Sequence, residues 1–382
     1  MNKLITFDVL VVYTKSLAKS ASDNRLGNTS PFVVGSTSES YSQVYGYFLE
    51  TCREHGLRAA FTTSADIIGA GLCRSYWIYK NKRWHKYNSP CFSSLIFDKF
   101  SPTKKKIRMS RDLLFSSNRI KSFNDPELFG KFFDKQQTYN ELSEFAIPTV
   151  SLEEKTLEGA KTACQKLAKL VKKCPYSEDY GTDLVLKDRY GAGGRRVYKV
   201  GGKKYSEILR KIKHNSKASF VVQPMVKFDL GFTYENYSVP TDIRLIYLGG
   251  KVVQSYIRRA CPGDFRCNEH LGGSLTYLPL SILPSKLIEK ADIISQKLNQ
   301  SGSLYALDFI ISNNGNIFLL EGNTGPGLDW NVTEQENERE AKHLIQLIVK
   351  ELCLVSGISK FSYSGWSFTS LSTLLSPLRR RQ

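Results

Sequence analysis

The stretch Leu304-Tyr305-Ala306-Leu307-Asp308-Phe309-Ile310-Ile311, followed by Ser312-Asn313-Asn314-Gly315-Asn316 and then Ile317-Phe318-Leu319-Leu320-Glu321-Gly322-Asn323, decides how this chain is read. Two apolar runs flank an Asn- and Gly-rich turn, the composition of a β-hairpin. Each run carries one carboxylate, and an amide follows two residues after the second. Positions two apart on a strand share a face, so Glu321 and Asn323 point the same way. Asp308, on the neighbouring strand, can converge on them. Three hard oxygen donors aimed at one point meet the requirement of Mg²⁺ bridging nucleotide phosphates, and Mn²⁺ is the alternative ion. A surface hairpin with solvated acids is the plainer alternative, but an unpaired charge interrupting such apolar strands would be costly.

The chain has 382 residues, 41% hydrophobic and 24% charged, enough for two or three packed units. No apolar run approaches the roughly 20 residues that cross a bilayer. Met1 to Tyr13 reads as a buried first strand rather than a signal peptide, because a Lys follows where a small-residue cleavage site would stand. Eight cysteines are scattered without a CxxC pair or a zinc-spaced His cluster, which points to reduced thiols and a cytoplasmic protein. The net charge of +18 favours anionic partners. It concentrates between Lys99 and Lys121, where eight Lys or Arg accompany the single acid Asp112, and at Arg379-Arg380-Arg381. Both places read as solvated linker and tail. Nucleic acid is disfavoured as a partner, since no helix-turn-helix, zinc-finger or RNP-type signature is found.

Pattern and punctuation divide the chain into four units: 1–124, an α/β domain with the basic linker; 125–226; 227–356; and a Ser-rich basic tail, 357–382. In the first, strands are expected at Val9–Val12, Ala59–Thr62, Ser75–Tyr79 and Leu95–Phe97, with a helix at Ser40–His55 and another within Arg111–Asn118. Further on, helical spacing predicts Pro126–Asn140, Glu158–Lys173, Tyr205–His214, Ser285–Leu298 and Glu338–Val355. Strands are expected at Asp183–Lys187, Val197–Val200, Ser219–Gln223, Thr241–Leu248, Lys251–Arg258, Leu304–Ile311 and Ile317–Leu320.

A second chemical feature is Leu184-Val185-Leu186-Lys187-Asp188-Arg189-Tyr190-Gly191-Ala192-Gly193-Gly194-Arg195-Arg196-Val197. A lysine ending an apolar strand, then a Gly-rich turn and another strand, can set an ammonium and backbone N–H groups around phosphates. Alone this is a weak signal. It is not a Walker loop, and a strand rather than a helix follows, which excludes the dinucleotide fingerprint.

The order of the fragments carries more than any one of them: Phe133-Asp134-Lys135, Lys187 with its glycines, Val221 to Val226, Asp242-Ile243-Arg244, Arg258-Arg259, then the Asp308, Glu321 and Asn323 set. In this order, over about residues 125–350, the chain resembles the ATP-grasp superfamily, and within it the RimK-like and glutathione-synthetase-like carboxylate–amine ligases. Arg258-Arg259, Gly263-Asp264-Phe265-Arg266, Asn268, Gly272-Gly273 and Gly325-Pro326-Gly327 look especially like the RimK pattern. The resemblance implies an α/β fold with two lobes gripping ATP behind a pre-ATP-grasp domain. It implies that Lys135 and Lys187 contact ATP phosphates, with Gly191, Gly193 and Gly194 in a mobile flap. Gln223, Pro224, Met225 and Val226 would form the hinge that reads adenine, and Asp229 would contact ribose. Arg244, Arg258 and Asn268 would face the phosphoryl group or the carboxylate substrate, and Asp308, Glu321 and Asn323 would hold Mg²⁺.

The implied reaction activates a carboxylate as an acyl phosphate and joins it to an amine. The basic surface hints at an acidic amino acid or peptide, and relatives of this fold form homo-oligomers. His270 is read as structural. Three departures stand out: Arg196 where the flap has another glycine, Gly322 where an aliphatic residue is usual, and the long aromatic segment Lys227–Pro240. Two other outcomes suit the same scaffold: a kinase on an anionic acceptor, or a non-catalytic nucleotide-binding protein like spore-coat-associated relatives.

Overall fold

A computed structural model describes residues 4–23, 29–36, 38–100, 105–300, 302–328 and 334–357. The Arg379–Arg381 cluster and all of the tail beyond Gly357 lie outside the described residues.

Continuous apolar runs make the buried parallel strands of the first unit, as expected where both faces of a sheet are covered. Val9–Tyr13 is buried at every position and lies between Ala59–Thr63 and Leu95–Lys99, parallel to both. The six-stranded sheet continues through Lys121–Ser122 at one edge and the antiparallel pair Tyr76–Lys80 and Arg83–Tyr87 at the other. A small four-stranded sheet of the same unit joins Ile5–Thr6, Cys91–Phe92, Leu72–Cys73 and Ile67–Gly69. These two- and three-residue strands are too short for any periodicity to announce them.

The second sheet system is antiparallel, in the order Val150–Leu152, Phe220–Val226, Tyr180–Asp188, Val197–Gly201. Helices Leu157–Lys173 and Tyr205–His214 cover it through a core of Ala160, Leu167, Leu186, Ile208 and Phe220. The third is a five-stranded antiparallel sheet: Ser274–Tyr277, Lys251–Arg259, Thr241–Leu248, Leu304–Ile311, Ile317–Asn323. Helix Ser285–Leu298 closes one face of it with Leu287, Ala291 and Ile294.

The predicted helix Pro126–Asn140 is instead two helices, Pro126–Phe133 and Lys135–Leu142. Asp134 breaks it. Its backbone is extended and its carboxylate caps the second helix by accepting from the Gln136 N–H, while Arg189 holds both carboxylate oxygens at 2.7 Å. The helix within the basic linker runs Lys105–Leu114, several residues earlier than expected. The last helix, Gln335–Ser356, leaves its own sheet's neighbourhood in part: Leu344, Ile345, Ile348 and Leu352 share one core with Val44, Phe48 and Cys52 of helix Ser40–Glu54. All eight cysteines are unpaired, and six are buried.

Candidate active site

Strand register brings the acidic residues together. Asp308 pairs across the hairpin with Glu321 and across the other side with Arg244, while Arg258 lies opposite Asp242. Asp308 has no exposed surface. Arg244 binds it in fork geometry, with Nε and Nη2 each donating at 2.5 Å, and Arg258 Nη2 donates at 2.8 Å. Arg258 grips Asp242 at 2.7 and 2.9 Å. Two carboxylates and two guanidiniums thus alternate in a buried, formally neutral array, the arrangement that makes charge burial tolerable. Burial pushes both carboxyl groups up. At Asp308 the two arginines outweigh it and hold the group below the usual range, whereas at Asp242 burial prevails over Arg258 and leaves the group raised.

Glu321 and Asn323 face a cleft of about 330 Å³, together with Lys135, Gly191, Gly193, Gln223, Arg244, Arg258 and Asn268. Lys187, Gly194, Pro224 and Val226 line its continuation toward the hinge. Met225, Asp229 and the fully buried Asp308 are not among the lining residues of either part. Asp229 sits at the far side of the hairpin turn, accepting from Asn313 Nδ2 at 2.9 Å. Among the described residues no group of three or more His, Cys, Asp or Glu converges on one point; the hairpin set combines two carboxylates with an amide.

Two lysines of the cleft are held by the fold rather than by exposed flexible stems. Lys135, at the start of its helix, donates through Nζ to the Gly191 carbonyl. Lys187 lies between Glu321 and Lys135. Loss of water around its ammonium, opposed by Glu321 and reinforced by Lys135, lowers it to about 8.

The flap lies against the segment after Arg258-Arg259. His270 Nε2 contacts the Gly193 carbonyl, and a side chain at Gly194 would run into Asn268. Gly193 and Gly194 adopt φ of +67° and +65°, a region glycine enters freely. Arg196, at φ +56°, shares that conformation without being glycine. Its Nε is 2.7 Å from the buried Asp188 carboxylate, so an ion pair at the base of the flap accompanies the strained backbone. The second departure also has a steric reason: a Cβ on Gly322 would overlap the Phe132 ring. In the third, Phe232 enters the core of the five-stranded sheet and Leu230 N donates to Asn313 Oδ1. Much of that segment is therefore packing for the hairpin turn.

Gln223 is buried and donates to Thr149 Oγ1 at 2.7 Å, tying the hinge strand to the residue before Val150–Leu152. Thr149 and Phe129 line the cleft outside every motif, and Phe133 and Tyr190 line it from within motifs that gave them no role. His270, read as structural, also lines the cleft. Its place two residues after Asn268, within the motif block itself, was the available signal.

Residues 151–348 match the family described as the RimK-like ATP-grasp domain. This chain belongs to the RimK-like ATP-grasp family. A probable alpha-L-glutamate ligase 2 of Pseudoalteromonas atlantica is 30% identical over 44% of this chain and 51% of that protein. The chain spans about half the length of the curated relatives it matches. Among solved structures, D-alanyl-alanine synthetase A of Vibrio cholerae superposes with TM-score 0.55 at 14% identity, over 92% of this chain and 99% of that one. The RimK domain protein of Sphaerobacter thermophilus gives 0.53 at 14%, over 90% and 98%. At such identities these two show the fold alone. No helix among the described residues is long and apolar enough to cross a membrane.

Proposed function

We propose that this chain is an ATP-dependent carboxylate–amine ligase, working in the cleft between the hinge sheet and the five-stranded sheet. The observation that carries it is one cleft lined by Lys135, Gly191, Gly193, Gln223, Asn268, Glu321 and Asn323. A phosphate-binding flap and an oxygen-donor hairpin thereby face the same space. Residues 125–226 and 227–356 are proposed as the two grasping lobes, 1–124 as the preceding domain and 357–382 as the tail. The eight unpaired thiols suit a cytoplasmic setting.

Magnesium suits the donors that face the cleft: Glu321 and Asn323 offer hard oxygens, while Asp308, opposite Glu321 in register, would have to exchange an arginine contact to join them. A magnesium ion held there would neutralise charge on the phosphates. The remaining work falls to the chain. Lys135 and Lys187 bind phosphate oxygens, and the flap excludes water. Arg244 and Arg258, at the cleft floor, stabilise the transferring phosphoryl group. A substrate carboxylate oxygen attacks the γ-phosphorus and the bond to ADP breaks. The amine then attacks the acyl carbon, phosphate departs with the former carboxylate oxygen, and the amine's proton passes to solvent. An amide, ADP and phosphate result.

Because relatives are named alpha-L-glutamate ligases, an acidic amino acid or peptide is proposed as one of the two substrates. The test is to incubate the protein with Mg-ATP and pools of amino acids and peptides, following nucleotide and new masses. ADP, phosphate and an amide product are expected. A phosphorylated product would indicate a kinase, and no turnover with any pool would indicate a binding protein.

A further inference from the structure

A second cavity, about 140 Å³, opens where the N-terminal sheet meets the loop after Asn323. It shares Phe129, Thr324 and Gly327 with the nucleotide cleft, so a molecule seated there can extend a reactive end toward the phosphates. Aromatic rings share its walls with charged and polar side chains. Tyr13 ends a central strand, and Tyr41 and Tyr45 lie one turn apart on helix Ser40–Glu54, their rings within 5.3 to 6.3 Å of one another. Phe100, Phe129 and Leu328 complete the apolar lining.

Its cations are already committed. Arg111 pairs with buried Asp98 at 2.7 Å and lies 5.3 Å over the Phe129 ring. Lys99 donates to the Pro326 carbonyl at 2.9 Å. Asp125 brings a further carboxylate to the wall. The two carboxylates balance Lys99 and Arg111, and both cations already have partners, so an acidic side chain entering here finds no net positive charge to offset its desolvation. A planar ring suits the space better: the volume is close to the ~150 Å³ that accepts one benzene ring, and the tyrosine and phenylalanine side chains on the wall add edge and stacking contacts.

We propose that this cavity is the side-chain pocket for a second substrate, an amino acid or peptide end bearing a single aromatic ring. This rests on the ligase reading and adds the chemical class of the partner that the N-terminal domain selects. The test measures calorimetric binding of phenylalanine, tyrosine, glutamate and alanine to the full chain, with Mg²⁺ and a non-hydrolysable ATP analogue. The aromatic pair should bind about tenfold or more tighter than alanine and glutamate.

Gly325 lines the cavity and a Cβ there meets nothing within 4 Å, so Gly325→Leu should fill the space and remove aromatic binding. An unchanged melting temperature reports that the variant is folded. Tyr41→Ala, which widens the cavity, should shift preference from phenylalanine toward tryptophan. Equal or tighter binding of glutamate or alanine overturns the proposal, as does aromatic binding indifferent to both variants. Release of ADP on adding the bound amino acid together with glutamate and Mg-ATP is scored separately. Its absence, with aromatic binding intact, counts against ligation and leaves the pocket standing.

Discussion

Asp308 carries its carboxylate with no exposure to solvent, so its charge is tolerated only through Arg244 and Arg258. Asp308→Asn should therefore destabilise the protein by roughly 3–5 kcal/mol, the usual result of stripping one partner from a buried ion array, read as a lowered denaturation midpoint. Glu321→Ala makes a useful contrast. It lines the cleft and makes no ion pair among the described residues, so it should leave the midpoint nearly unchanged while abolishing Mg²⁺-dependent ADP release; full turnover in that variant would sink the metal assignment. Lys187 gives a pH signature. Its folded value near 8 lies below the ordinary 10.5, so between those limits the unfolded chain holds more protons and this group's contribution to stability rises with pH. Nucleotide binding runs the other way: as the ammonium is lost above pH ~8, ATP affinity should fall by about an order of magnitude by pH ~9.5, and a Lys187→Arg variant should flatten that fall. None of this is visible in composition. The hairpin motif named Asp308, Glu321 and Asn323 as one set, but only the strand register commits Asp308 to two arginines and leaves Glu321 facing the cleft.

At the scale of elements, the hairpin Leu304–Asn323 was legible almost residue for residue, because long apolar strands separated by Asn-Asn-Gly-Asn leave little alternative. The helix across Asp134 was not. Helical periodicity continues through it, and the break comes from Arg189, fifty-five positions later in the chain, which locks the Asp134 carboxylate. Short strands such as Leu72–Cys73 escaped for a different reason, since two residues have no period. Gly322 belongs here too, for its lack of a side chain lets Phe132 of one element press against a strand of another. Gly322→Val should cost about 1–3 kcal/mol through overpacking. Combining it with Phe132→Ala should recover part of that loss, and simple additivity in the double-mutant cycle would refute the steric account. For the flap, His270→Ala removes the contact to Gly193 and should raise the apparent KM for ATP several-fold with little change in melting temperature.

Across the whole molecule, helix Gln335–Ser356 couples the ends of the chain. Ile345, Ile348 and Leu352 have no exposed surface and pack with Val44, Phe48 and Cys52. Ile348→Ala should therefore lower stability by about 2–5 kcal/mol, and hydrogen exchange should show loss of protection in helix Ser40–Glu54 as well as in the mutated helix. Protection lost only near the substitution would mean the two units are energetically separate. By itself, the sequence determined the family, the long strands and most of the polar groups that line one cleft, because those rest on local periodicity and on ordered motifs within one stretch of chain. Only the tertiary structure decided which carboxylate is buried and which is presented, where a helix breaks, and that Tyr13, Tyr41 and Tyr45 come to stand beside the loop after Asn323. Those outcomes depend on contacts between residues tens to hundreds of positions apart, and desolvation and steric fit act on the assembled surface, not on the order of letters.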